Sequence, residues 1–307
     1  MHHPPAVWVG FTALVVLLLI LDLGVLNRRA HILSSREAIA WSAGLICLAL
    51  LFGGFLWLRE GAGPALEYYT GYVIELSLSV DNLFVFILIF QYFAVPSELQ
   101  PRVLKWGIVG AIVMRALMIG LGALMLSRFE WVLYVFGGIL IFTGYRMFRG
   151  SHDRIEPERN PVIRLARRFF RVTPAYEGSR FFLRTHSGWY ATPLILVVLF
   201  VEWSDLVFAI DSIPAVFAVT RDPFIVYSSN VFAILGLRAL YFLLARALDR
   251  FRYLKPGVAA ILVFVGIKML AEEVVHVPTV ISLVLVLGTL TLSVIVSLLA
   301  TPRVSPE

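Results

Sequence analysis

Glu75-Leu76-Ser77-Leu78-Ser79-Val80-Asp81-Asn82 and Asp205-Leu206-Val207-Phe208-Ala209-Ile210-Asp211-Ser212 are two copies of one pattern. Each reads acid, Leu, four residues, Asp, then a small polar residue, and Glu202 stands three positions ahead of the second copy. Both lie inside otherwise apolar runs. A carboxylate at mid-bilayer depth costs about 2.5 kcal/mol or more unless something compensates it, so acids inside lipid mark function. Two segments of matching form point to one site built from two halves.

The surrounding composition establishes that lipid is the solvent. The 307 residues are 60% hydrophobic and only 15% charged, with a mean hydropathy of +0.87. A water-soluble domain is closer to half apolar and a quarter charged. The chain therefore reads as an all-α polytopic membrane protein. Its single cysteine, Cys47, allows no intramolecular disulfide and no CxxC metal or redox motif. The net charge of +6 is concentrated in loops, which is the pattern of membrane flanks and argues against nucleic acid as a partner.

Runs near 20 apolar residues mark nine expected spans: Val7–Leu26, Ala38–Leu58, Thr70–Phe93, Leu104–Leu126, Trp131–Phe148, Ala191–Ala218, Phe224–Leu248, Val258 to about Val274, and Thr279–Ala300. The first has no basic n-region before it, and Arg28 and Arg29 follow where a cleavage site would stand, so it reads as a retained helix. Basic residues recur in alternate loops: Arg28, Arg29 and Arg36; Arg102 and Lys105; then nine arginines against four acids over 149–190; then Arg250, Arg252 and Lys255. All of these fall on one side, which places the amino terminus outside and the carboxyl terminus inside. Within 149–190, Val162 to Arg171 has the form of a basic amphipathic helix on the anionic inner leaflet; a plain positive-inside anchor explains it as well.

The duplication extends beyond the acids. Arg115-Ala116-Leu117 in the fourth span matches Arg238-Ala239-Leu240 in the seventh, and Phe142-Thr143-Gly144-Tyr145-Arg146-Met147 matches Phe264-Val265-Gly266-Ile267-Lys268-Met269. Arg115 to Arg146 is 31 positions and Arg238 to Lys268 is 30. The repeats are the third to fifth and the sixth to eighth spans. Three helices per unit means that the second unit enters the membrane inverted, a recurrent design of secondary transporters with a midplane site. The chain divides into 1–67 (two amino-terminal spans), 68–148 (first repeat), 149–190 (basic cytoplasmic loop), 191–275 (inverted repeat) and 276–307 (last span and tail).

Helical phase sorts the acids. Positions seven apart share a face, which pairs Glu75 with Asn82 and Asp205 with Ser212, with Ser79 on the first stripe and Glu202 facing with Asp205. Asp81 and Asp211 lie one residue off these stripes and need a local distortion to join them. Pro214 can break the sixth span after Asp211, while nothing equivalent stands in the third. Carboxylates with Asn, Ser and backbone oxygens form a hard-oxygen set suited to Mg²⁺, Ca²⁺ or Mn²⁺. None of the six histidines lies in a repeat span. The acids alternatively lock helices together by pairing with Arg115 and Arg238. Those arginines either neutralise an empty acidic site and release it to metal, or form static pairs. Asp22 either contributes to the pathway or pairs with a nearby cation. Arg146 and Lys268 near span ends read as membrane anchors, Asn230 as interhelical glue, and the glycines at 107, 110, 120, 122, 137, 138 and 144 as close-packing positions.

The two acidic segments, with Pro214-Ala215, Asp22-Leu-Gly-Val-Leu-Asn-Arg, Thr220-Arg-Asp-Pro-Phe-Ile-Val and Asn230-Val-Phe-Ala-Ile-Leu-Gly-Leu-Arg238, resemble the signatures of the TerC family of integral membrane proteins. The resemblance covers roughly residues 10 to 300. It implies a bacterial inner-membrane protein of Mn²⁺ efflux and metal homeostasis, not an enzyme, with no tightly bound cofactor and Mn²⁺ as cargo. Its motif acids here are Glu75, Asp81, Asp205 and Asp211, with Asn82, Glu202 and Ser212 beside them. The rival reading is a non-transporting scaffold that assists membrane-protein insertion or metalation of secreted enzymes through the 149–190 loop.

Overall fold

The computed structural model describes residues 3–21, 35–129, 131–149, 161–185, 188–244, 253–271, 274–275 and 277–300. Among them the chain forms α1 Pro5–Ile20, α2 Ser35–Glu60, α3 Ala62–Tyr92, α4 Gln100–Arg128, α5 Val132–Phe148, α6 Pro161–Phe169, β1 Arg171–Val172, β2 Phe182–Thr185, β3 Gly188–Ala191, α7 Pro193–Phe217, α8 Pro223–Leu244, α9 Leu254–Leu270 and α10 Thr279–Ala300. The expected third, sixth, seventh and eighth spans are thus α3, α7, α8 and α9. Proline opens α1, α6, α7 and α8, where its fixed φ suits a first turn and its missing N–H is not needed. Asp222 caps α8, its Oδ1 accepting from the Phe224 N–H at 2.9 Å. The sixth span begins at Pro193, two residues later than expected, because Ala191 pairs in β3.

Among the described residues five helices are long and apolar enough to cross a membrane: Arg36–Glu60, Ala62–Tyr92, Gln100–Arg128, Pro193–Phe217 and Thr279–Ala300. Pro5–Ile20, Val132–Phe148 and Pro223–Leu237 are shorter apolar helices. The outward faces of α2, α4 and α10 carry Leu51, Leu58, Val113, Leu117, Val284, Leu292 and Leu299, all exposed, with Leu58 at 90%. Contiguous apolar surface of this kind is untenable in water and is a lipid-facing surface. By contrast, α8 is buried almost throughout Phe224–Leu237 and is packed by α1, α2, α3, α4 and α7.

Three helix pairs run antiparallel. The start of α4 meets the end of α8, where the Tyr241 hydroxyl donates to Gln100 Oε1 at 2.9 Å. For α3 and α7, Gly71 lies against Val216 at one end, and Phe93 packs on Phe200 at the other. The most extensive contact is α5 with α9. There a Cβ on Gly137 would lie 3.1 Å from the Gly266 carbonyl oxygen, and one on Gly144 would lie 2.8 Å from the Ala259 carbonyl oxygen. Backbone touches backbone twice along this crossing, as small residues permit.

Contacts gather the helix ends into two groups. His3 reaches Asp222 at 3.0 Å and Glu60 at 3.6 Å, and Lys268 Nζ donates to Ser282 Oγ at 3.0 Å across α9 and α10. Lys268, in the last turn of α9, therefore ties two helices together. At the opposite ends, the Tyr253 N–H donates to Ser297 Oγ at 3.0 Å.

Around the basic segment the structure adds what helical periodicity did not reveal. A three-stranded sheet, ordered β1-β3-β2, pairs β3 parallel to β1 and antiparallel to β2. The alternation is too short to register as a strand signal. Tyr176 fastens this module to the bundle by donating to the Phe93 carbonyl at 2.7 Å, and burial pushes its phenol up to about 12. The amphipathic α6 is present, but Ile163 and Ala166 on its apolar face are buried and the helix packs on α7. Leu165 and Phe169 remain exposed beside Arg164 and Arg168.

Candidate functional site

Glu75 lies near the middle of α3, Arg115 near the middle of α4, and Asp205 is the central residue of α7. Their side chains meet in the bundle. Arg115 Nη1 stands 2.7 Å from Glu75 Oε1, and Arg115 Nε stands 3.7 Å from Asp205 Oδ2; the three side chains are between 0% and 4% exposed. The same Nη1 donates to Ser212 Oγ on α7 and Asn230 Oδ1 on α8, each at 2.6 Å. A guanidinium Nη carries two hydrogens, and these two bonds use both. Glu75 is therefore held by charge without a well-directed hydrogen bond. Both its carboxylate oxygens and both of Asp205 are buried without a hydrogen-bond partner, as are Ser79 Oγ and Arg115 Nε.

Burying two carboxylates with one guanidinium leaves a negative charge over when all three are ionised. Uncompensated charge in a low-dielectric interior is costly, so the cluster favours a further positive charge. Asn230 also donates its amide to the Val226 carbonyl at 3.0 Å, which fixes the acceptor end toward Arg115.

The other expected acids are distributed around this centre. Asp211 turns toward α5, where the Thr143 hydroxyl donates to its Oδ1 at 2.7 Å. The helix runs unbroken through Pro214 to Phe217, so the expected break after Asp211 does not occur. Proline near the end of a helix forfeits one bond, to the Ile210 carbonyl, and the burial of Ile213 to Phe217 keeps the helix continuous. Asp211 consequently does not join the Glu75–Asp205 cluster. Glu202 points toward α4, its carboxylate occupying the space that a side chain at Gly110 would fill. Asn82 is buried on α3.

The third helix is likewise continuous through position 81. The side chains of Asp81 and Arg238, and all of Asp22, lie outside the described residues. Among the described residues no group of three or more His, Cys, Asp or Glu stands close enough to hold a metal ion. In this state the guanidinium occupies the position between the acids. A narrow crevice opens on Asp205 from the α4 side, lined by Gly107, Ile108, Ala111 and Val201.

Thr143 was not assigned a role by sequence reasoning, and Gly110 was read as a close-packing position without its link to Glu202. A threonine three residues before Arg146, on an otherwise apolar helix, was the available signal for the first. Gly110 gave none, because glycine in a spanning helix is usually explained by packing.

The apolar exterior, the spanning helices and a buried charge cluster at mid-helix define a multi-pass membrane protein. The chain belongs to the TerC family: the model described as "Integral membrane protein TerC family" matches residues 61–305. It is 50% identical over 295 residues to "Uncharacterized membrane protein STKORF319" of Myxococcus xanthus, covering 96% of this chain and 92% of that one. It is 49% identical over 302 residues to "Putative membrane-bound redox modulator Alx" of Salmonella typhi, covering 95% of this chain and 94% of the other. Its identity to the protein of the same description from Escherichia coli K12 is 47% over 302 residues, with the same coverage. No solved structure matches the chain.

Proposed function

We propose that this protein is a secondary exporter of a divalent cation, Mn²⁺ in the first instance, from the cytoplasm across the cell inner membrane in exchange for protons. The observation that carries the reading is the meeting of Glu75 and Asp205, one from each copy of the acidic pattern, at the middles of their helices. Their four oxygens lack hydrogen bonds, and carboxylates of this kind carry hard cations and protons alike. Nine spans with the amino terminus outside and two inverted three-helix units, α3–α5 and α7–α9, complete the architecture.

The repeat reading gains from the antiparallel course of α3 with α7, α4 with α8, and α5 with α9. It gains further from the exchange of contacts: Gly144 matches Gly266 and Gly137 matches Ala259 at the same offset, and Gly137 touches Gly266 as Gly144 touches Ala259. Reciprocal contact of equivalent residues is the mark of a two-fold interface.

Two of the relatives are described as putative membrane-bound redox modulators; in this chain the single thiol is Cys47, exposed on α2. The test is Mn²⁺ flux in proteoliposomes under an imposed pH gradient, comparing wild type with Glu75→Gln, Asp205→Asn, Asp81→Asn and Asp211→Asn. Loss of flux in the first two is expected. Wild-type rates in all four variants would remove the acids from the pathway, and absence of flux in wild type would remove the exporter reading.

A further inference from the structure

We infer that Arg115 is a tethered counter-cation that occupies the acidic site between transport events and yields it to a divalent ion, with Ser212 and Asn230 holding its guanidinium beside the two acids. The inference rests on the exporter reading and adds to it a specificity device. Two observations carry it. The guanidinium is hydrogen-bonded to the neutral oxygens of Ser212 and Asn230 and only charge-paired with the two acids. The acids keep their four oxygens free of hydrogen bonds, and Ser79 Oγ, one turn from Glu75 on the same face of α3, is equally buried and without a partner.

The charges decide which cation wins. Glu75 and Asp205 carry two negative charges when ionised; Arg115 neutralises one, whereas a divalent ion neutralises both. An ion of charge two at about 2.2 Å attracts each carboxylate roughly three times as strongly as a guanidinium at the observed 2.7 and 3.7 Å. A monovalent ion at about 2.4 Å gains little over the guanidinium it must displace and still loses its water. Arg115 thus sets a charge threshold for occupancy. The two bonds to Ser212 and Asn230 offset part of the guanidinium's desolvation, so that its place in the interior does not depend on the two acids alone. The return of the guanidinium helps to expel the ion, so that binding and release stay balanced.

The purified full-length chain in detergent is titrated with Mn²⁺ by calorimetry, as wild type, Arg115→Met and Asn230→Leu. The same proteins are assayed for Mn²⁺ flux in liposomes. Arg115→Met is expected to bind Mn²⁺ about tenfold or more tightly, because its competitor is gone, and to turn over more slowly. Asn230→Leu is expected to bind it severalfold more weakly, because Arg115 then leans harder on the acids. A structural role for Arg115 predicts weakening in both. Unchanged or weakened binding by a monodisperse Arg115→Met protein overturns the inference while leaving wild-type flux, and with it the exporter reading, intact. Should Arg115→Met fail to fold, tighter or unchanged binding by Asn230→Leu overturns it alone. A wild type that neither binds nor moves divalent ions overturns both.

Discussion

Asp211 and Asp205 are six residues apart on one helix and serve different neighbours. Asp205 faces Arg115 across the α4 side, whereas Asp211 is held by the Thr143 hydroxyl of α5 at 2.7 Å. Replacing Thr143 by valine keeps the shape and removes the donor. Asp211 is half-buried and has Arg146 near it, so losing this bond costs about 0.5–1.5 kcal/mol; the variant should unfold at a slightly lower temperature in detergent, and Asp211→Asn in the same background should recover little. Helical phase alone separated these two acids correctly: the seven-residue stripe joined Asp205 with Ser212, both of which meet at Arg115, and set Asp211 off it. What phase could not supply was the partner on another helix. The expectation that Pro214 would bend Asp211 into the cluster weighed a local rule without the packing of Ile213, Ala215, Val216 and Phe217, all buried, that keeps the helix intact.

At the scale of elements, helix ends and helix crossings obey different constraints. The carboxyl end of α3 closes with Val95 N–H on the Phe90 carbonyl at 2.9 Å and Ala94 N–H on the Gln91 carbonyl at 3.1 Å, the paired bonds of a Schellman cap. Ala94 takes φ 46°, the left-handed position that glycine fills without strain. Ala94→Gly should therefore raise stability by up to about 1 kcal/mol, seen as a higher melting temperature with unchanged helicity. The α5–α9 crossing has the opposite sensitivity. A Cβ at Gly266 would meet the Gly137 carbonyl oxygen at 2.8 Å and the Ile141 N at 3.1 Å, so the helices themselves must part. Gly266→Ala should cost about 1–3 kcal/mol by overpacking. Gly138→Ala, one position from Gly137 with nothing within 4 Å, should be neutral or slightly stabilising. The sequence marked Gly137, Gly138 and Gly144 alike as packing positions; only the crossing geometry distinguishes Gly138 from the other two.

For the molecule as a whole, the two ends of the bundle form two chemical surfaces. One end gathers His3, Glu60 and Asp222 with the Lys268–Ser282 bond. The other gathers Tyr253 with Ser297, Gln100 with Tyr241, and the arginine-bearing sheet module fastened at Phe93. Among the described residues most of the basic ones fall at this second end, the end that the positive-inside bias would put in the cytoplasm. Loop charges suggest an orientation because insertion responds to them, whereas the sheet module among them folds by short-range pairing that leaves little periodic trace. Cys47 is exposed on α2 and is the chain's single cysteine, so Cys47→Ala supplies a background for labelling. In intact cells with an impermeant maleimide, Gly63→Cys and Val274→Cys should label, and Ser97→Cys and Ser179→Cys only after lysis. The fold already commits each pair to a common side: Tyr176 binds the Ser179 segment to the end of α3 beside Ser97, and Glu67 and Lys268 share one electrostatic neighbourhood near Gly63 and the α9–α10 turn. Labelling that split either pair would contradict the helix packing itself, whereas reversal of both pairs together would leave the packing intact and overturn only the assigned orientation, and with it the direction of transport.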